Sequence, residues 1–462
     1  MLQAPGALLR LTGDFVTSFH PSRLPPMLRV NYARELLSWF FLPIMLAAVE
    51  GGTISVIAKK AFAASGSVTP DHLDWAVAVL VAAPNVANLT SFLWAALAHG
   101  RAKVPFISAL QLATALCVGA MAVVPETPLG LAMLCALVFA GRCAWTGVLT
   151  LRAAVWRTNY PRASRATIAG KMASVQSIML GASGLLLGAA LDLDARLYHF
   201  LFPLLAVAGL AGNAIYRKVR LRGQRRLARA EMAGTAEESP SINPMRVVTV
   251  LREDRNFRWF MVWMNVLGFG GLMVGAPQAI VLTDHFHVSY LEGILNTTII
   301  PVLIMPLAIP FWAKRLERMH VVRFRALHSW SFATATTMMW LGVWFDSMVV
   351  FQLSAIGMGV AFAGGALAWN LGHSDFAPPH RDSEYMGVHV TLNGIRGLLA
   401  PLAAVWLYNS IGPQSGALWV FGAAAVVNVA GALGFLHMWS WLKNTPAGHP
   451  HRRVAEEKPF GR

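Results

Sequence analysis

Stretches of about 20 predominantly apolar residues recur along the whole chain with short polar connections between them, and a run of that length is what a helix needs to cross a bilayer. A water-soluble globule has no use for so many. The charge content agrees, because 13% of the 462 residues are charged whereas an ordinary soluble domain carries about 25%. The chain reads as one all-α polytopic membrane unit. Its three cysteines, Cys117, Cys135 and Cys143, fall inside apolar blocks, so no disulfide framework or zinc knuckle is indicated.

Twelve transmembrane helices are expected, near 38–60, 73–98, 104–124, 128–152, 167–191, 197–216, 257–281, 289–313, 324–345, 347–371, 385–408 and 416–441. No basic, apolar, small-residue cleavage pattern precedes the first, so it is expected to stay. Orientation follows from the basic residues, which are retained on the cytoplasmic side of short loops. Of the 38 Lys and Arg residues, 32 fall on the side that holds both termini, and Lys59, Lys60 and Arg196 on the other; Arg142, Lys171 and Arg396 lie within spans. Both termini are therefore expected in the cytoplasm of a cell with a bacterial-type inner membrane. The expected organisation is a cytoplasmic N-terminal segment (1–37), a six-helix bundle (38–216), a linker (217–256), a second six-helix bundle (257–441) and a cytoplasmic tail (442–462).

The linker begins RKVRLRGQRRLARAEMAG and is the longest polar connection. It lacks the interleaved aromatics of a nucleic-acid surface, so no nucleic acid is expected as a partner; attraction to anionic lipid headgroups and positive-inside retention account for it.

The halves repeat. Overlaid at a shift of about 220, Trp39 falls opposite Trp259 and Gly51 opposite Gly271; at slightly shorter shifts Trp94-Ala95 falls on Trp312-Ala313, Val104 and Phe106 on Val322 and Phe324, and Trp156 on Trp369. Twelve spans, cytoplasmic termini, a long basic central loop and a six-plus-six repeat resemble the major facilitator superfamily over residues 30–442. The loop AALAHGRAKV is similar to the family's Gly-x-Leu-x-Asp-Arg-x-Gly-Arg signature, with Leu97 in register, His99 at the acidic position and Lys103 at the last basic one. The second half has Glu317 opposite His99. Arg142 resembles the arginine of the family's span-four motif, with Gly147 one residue late. The resemblance implies alternating access, a cavity lined by spans one, four, seven and ten, and gating by the loop that holds His99, Lys103 and, in the other half, Glu317.

Ionised groups at mid-depth cost about 2.5 to 3.5 kcal/mol on insertion scales, so those present should face water or a partner. Glu50 in span one, Arg142 in span four and Arg396 in span eleven are such groups. In the implied fold Glu50 and Arg142 are within reach of each other, either as a structural ion pair or as a proton site. Arg396 shares a helical face with Asn393 and His389; it either bonds backbone carbonyls or joins Arg142 in a cationic cavity that an anion would neutralise. Asn265 and Gln278 in span seven are candidate substrate contacts. The segment WNLGHSDFAPPHRDSEYMGVH gathers His373, Asp375, His380, Asp382, Glu384 and His389; its spacing does not match a metal motif, and a gate that includes His373 and Asp375 is the stronger reading.

These features favour a proton-coupled secondary transporter of a small solute, with an organic anion the class that charge balance prefers. A transport-inactive scaffold of the same architecture is the alternative. Neither a Walker loop nor a nucleophile elbow nor a zincin motif is present, so no enzyme activity and no cofactor is expected. The sequence leaves the oligomeric state open, and a monomer is the favoured expectation.

Overall fold

The computed structural model describes residues 17–233, 245–377 and 381–444. Among them, twelve helical spans follow one another. Span one is Pro26–Leu46 continued by Ala47–Val49 and Gly51–Ser65; span two is Pro70–Ala87 continued to Leu97; spans three to six are Lys103–Ala120, Pro128–Asn159, Arg162–Leu193 and Tyr198–Tyr216. Span seven joins Arg255–Met273 to Gly275–Asp284, and span eight runs from Tyr290 through a π-helical segment, Leu295–Ile299, to Arg318. Spans nine to twelve are Val321–Trp344, Met348–Leu371, Asp382–Ile411 and Pro413–Asn444. Pro26, Pro70 and Pro128 stand at helix starts, where the missing N–H costs nothing. Thr69 and Thr127 cap two of those starts from the side chain.

Eleven of these helices are long and apolar enough to cross a membrane. The remaining one, span nine, has 24 residues and packs between spans ten and twelve, but Arg323, Arg325 and His328 dilute its apolar character. It completes the twelve. Span one starts at Pro26, well before the apolar block near 38, because polar side chains in the added turns find acceptors after span six: Asn31 Nδ2 donates to the Arg220 carbonyl at 2.8 Å and Arg34 to that of Lys218 at 2.5 Å.

Two spans are interrupted. In span one Glu50 is extended (φ −73°, ψ 124°) and Gly51-Gly52 follow, with Gly51 against the Val81 backbone and Gly52 against the Thr297 carbonyl. Span seven breaks at Val274, between its two helical pieces. An unwound turn leaves backbone groups unpaired by the helix, which membrane proteins tolerate where the segment lines a wet cavity or is packed by protein.

The two sets of six spans meet tightly at the end of the bundle far from the termini. Lys59 Nζ, from span one, contacts Asp74 Oδ1 of span two at 2.5 Å and Asp284 Oδ2 of span seven at 2.7 Å. Asp192, ending span five, accepts from the backbone N–H groups of Tyr290 and Leu291 at the start of span eight (2.6 and 3.1 Å). Lys60 Nζ donates to the Val288 carbonyl at 2.7 Å, and Thr53 Oγ1 lies 3.2 Å from Thr298 Oγ1. Deeper in, Asn393 Nδ2 reaches Asn85 Oδ1 at 3.4 Å. This far end is a seal held by charge-assisted contacts.

Candidate functional site

The break at Glu50 turns its side chain toward span four, where Arg142 Nη2 lies 3.0 Å from Glu50 Oε2. The pair expected from the sequence is formed. Its members differ in exposure, 31% for the Glu50 side chain and 11% for Arg142, so the carboxylate is the more accessible partner and the guanidinium the more recessed. Arg142 is engaged through one nitrogen only; its Nε is buried without a hydrogen-bond partner. An arginine held by a single contact keeps donors for a second acceptor.

The other candidates are dispersed. Arg396 packs onto span seven: Nη1 donates to the Met264 carbonyl at 2.5 Å, Nη2 to Asn393 Oδ1 at 2.8 Å, and the guanidinium fills the place a Cβ on Gly268 would need. This is the backbone-carbonyl alternative, not the cationic cavity shared with Arg142. His389 is fully buried beside Trp369, with ring centroids 5.9 Å apart. Asn265 donates to the Met261 carbonyl of its own helix, and buried Gln278 to the Asn296 carbonyl of span eight at 3.3 Å. Gln278 therefore ties two helices of one half together, while Asn265 stays half-buried.

Over residues 36–401 the sequence matches the profile of the Major Facilitator Superfamily. The chain belongs to the major facilitator superfamily. Solved structures share this facilitator fold at low identity. A mutant of the nucleoside transporter NupG gives a TM-score of 0.67 at 13% identity, covering 87% of this chain and 99% of that one. A POT family transporter in complex with 5-aminolevulinic acid gives 0.64 at 13%, covering 88% and 96%. The E. coli xylose transporter XylE, in a partially occluded inward open conformation, gives 0.60 at 13%, covering 90% and 97%. A search of curated protein sequences gives no match. As a facilitator family member, the chain is a multi-pass membrane protein of the secondary transporter class.

The facilitator signature loop is completed from an unexpected direction. His99 stands where the family has an acid, and the carboxylate comes instead from the linker helix Gln224–Ala233. Glu231 Oε2 accepts from the Gly100 backbone N–H and from Lys103 Nζ, both at 2.8 Å, and the Glu231 carbonyl lies 2.8 Å from His99 Nε2. Gly100 sits at φ +68°, in the left-handed region that favours glycine. In the other half Glu317 is exposed. Asp375 Oδ2 accepts from the Val321 N–H at 2.8 Å and so caps span nine of its own half, with buried His373 on the same turn. His380 and the side chains of Asp382 and Glu384 lie outside the described residues.

Two buried acids escaped the sequence reading, which put Glu50 alone at mid-depth: Asp74, which Lys59 pairs, and Glu35. Glu35 of span one has no exposed surface; Trp156 Nε1 donates to Oε2 at 2.5 Å and the Tyr160 hydroxyl to Oε1 at 2.9 Å. Arg152 lies over the faces of Trp39 (4.4 Å) and Trp156 (4.5 Å) and supplies positive charge to the same pocket. The available signal was the Pro25-Pro26 helix start, which brings Glu35 into the span.

Proposed function

We propose that this protein is a proton-coupled secondary transporter of a small organic anion, working by alternating access, with Glu50 and Arg142 as the coupling pair. The observation that carries the reading is the single-contact pair at the break of span one, with a more accessible carboxylate and a recessed guanidinium that keeps an unpaired Nε. While Glu50 is ionised it occupies Arg142. When Glu50 takes up a proton the ion pair is lost, and a guanidinium in a poorly solvated site then demands another anion. A substrate carboxylate would supply it, through the planar two-point contact that arginine offers. Proton and anion would thus load together and leave together, each making the other's site.

Sealing at the far end and the positive-inside distribution of Lys and Arg support a cavity that opens toward the cytoplasm in this conformation, in the inner membrane of a bacterial cell. The linker helices, rich in arginine, would rest on anionic headgroups. The exposed Glu317 and the loop around His373 and Asp375 fit a gate that closes with the signature loop when the cavity turns outward. Arg396, oriented by Asn393, holds span eleven against span seven in this reading, and His389 packs beside Trp369 of span ten, while Asn265 and Gln278 are left as candidate contacts in and near the cavity wall.

The test is a thermal-shift screen of organic anions on the purified protein, since a ligand bound by the native state alone raises its apparent stability. A stabilising anion should lose most of its effect in Arg142→Lys. Stabilisation confined to neutral or cationic solutes, or unchanged in Arg142→Lys, would remove the anion assignment.

A further inference from the structure

Two helix crossings between the halves are held in different ways. Where span five meets span eight, Gly181, Gly184 and Gly188 share one face of span five, and a Cβ on them would fall 3.0 Å from Leu303, 3.0 Å from Ile299 and 2.7 Å from the Leu291 Cα. Asp192 follows one turn later on that face. Its two oxygens accept from the Tyr290 and Leu291 N–H groups at 2.6 and 3.1 Å, and these are the first donors of span eight, which no carbonyl of their own helix can serve. Ser289 takes only the next, from Glu292, at 3.2 Å.

The crossing of span two with span eleven is held by an uncharged contact, about four turns in from the start of span two. Arg396 Nη2 donates to Asn393 Oδ1, which turns Asn393 Nδ2 onto Asn85 Oδ1 at 3.4 Å. A Cβ on Gly397 would fall 2.3 Å from Asn85 Cβ, and one on Gly394 2.3 Å from Leu89, so the helices touch as closely as glycine allows. The start of span two takes no cap from the other half: Pro70 has no N–H, and Thr69 caps the turn.

Opening the far end must part spans five and eight there, whereas points near the axis of a rotation move least. A contact kept in both conformations shifts nothing between them, and one made in a single conformation favours it. The cross-half ion pair is the weaker hold of the two charged ones. When Asp284 withdraws, Lys59 keeps Asp74 at 2.5 Å, and the Asp284 side chain is already 40% exposed. Among the described residues, Asp192 and the two N–H groups it serves have no such second partner.

We propose that Asp192 is the latch that holds the far end shut, and that the contact of Asn85 with Asn393 is the pivot about which the halves turn. The inference rests on alternating access, but on neither the substrate nor the coupling proton.

The experiment reads cysteine labelling of the full-length protein in membranes, with Cys117, Cys135 and Cys143 replaced by serine. One reporter is Ile294→Cys, fully buried beside Gly184; the other is Ala153→Cys, exposed about three turns from Arg142 on the same face of span four. Asp192→Asn keeps the size and removes the charge. Labelling at position 294 should then speed up about fivefold or more while labelling at position 153 slows, a reciprocity that misfolding would not give, because misfolding speeds both. Asp284→Asn should change both rates by less, and Asn85→Ala and Ser289→Ala by no more than about twofold. Parental rates in Asp192→Asn, with faster labelling at position 294 in Gly52→Val, which crowds the same seal, would overturn the latch alone. Parental rates in both variants would mean that the far end does not open, and the alternating-access reading would fall together with the latch. Opening in Ser289→Ala equal to that in Asp192→Asn would reduce Asp192 to a helix cap, and equal opening in Asn85→Ala would overturn the pivot.

Discussion

Arg142 Nη2 meets Glu50 Oε2 at 3.0 Å where span one leaves helical geometry, so the acid sits on an unwound turn and the base on a continuous helix. In the proposed coupling this asymmetry gives the pair its use. A carboxylate on a short extended segment can reorient at small cost when its charge changes, whereas the guanidinium, fixed by a 32-residue helix, stays to receive the replacement.

The seal at the far end depends on the lack of a side chain at Gly52. A Cβ there would fall 2.5 Å from Thr298 Oγ1 and 2.8 Å from the Thr297 carbonyl, so Gly52→Val should prise span one from span eight and favour the conformation open at the far end. Labelling of a cysteine introduced at Thr53 by a membrane-impermeant reagent should speed up several-fold. Unchanged labelling in a folded variant would count against the seal.

Lys59 is 2% exposed and holds two carboxylates, Asp74 within its own half and Asp284 across the interface. Removing one partner of a buried ion pair costs about 3 to 5 kcal/mol, so Asp74→Asn should lower the unfolding midpoint markedly. Asp284, whose side chain is 40% exposed, should matter less for stability and more for closure. The order of midpoints, parent above Asp284→Asn above Asp74→Asn, is the check.

Glu231 ties the linker to the signature loop through Gly100 and Lys103. Glu231→Gln keeps the shape but removes the charge opposite buried Lys103, and the linker should come loose. Limited proteolysis between residues 222 and 244 should then run faster than in the parent protein, with the twelve-span core intact. Identical cleavage rates would mean that backbone contacts alone hold the linker.

Glu35 accepts two buried donors, so Glu35→Leu orphans both the Trp156 indole and the Tyr160 hydroxyl, at about 1 to 3 kcal/mol each. Glu35→Gln retains one carbonyl acceptor. Thermal midpoints should fall in the order parent, Gln variant, Leu variant; equal midpoints for the two variants would show that the charge, and not the acceptors, is what this pocket uses.

Span positions and the Glu50 to Arg142 contact were legible because both follow from local pattern: apolar run length sets the spans, and a charge at mid-depth asks for a partner in the facing span. Arg396 was ambiguous for the opposite reason. Its main acceptor, the Met264 carbonyl, belongs to a peptide group that every residue carries, so no side-chain pattern marks it. Glu231 was hidden by chain distance, since the acid missing at position 99 returns from a linker whose charges read as a solvated stretch. Glu35 was hidden by a boundary, because hydropathy starts span one near 38 while proline and the acceptors after span six start it at Pro26.

In the proposed mechanism Glu50 carries the coupling proton and Arg142 the anion. Once the stabilising anion is known, proteoliposomes with Glu50→Gln and an imposed pH gradient test it directly. The account predicts that proton-driven accumulation is lost, while exchange of labelled for unlabelled substrate across the same membrane persists, because the neutral side chain mimics the protonated state and leaves Arg142 free. Accumulation at the parent level in Glu50→Gln would contradict it.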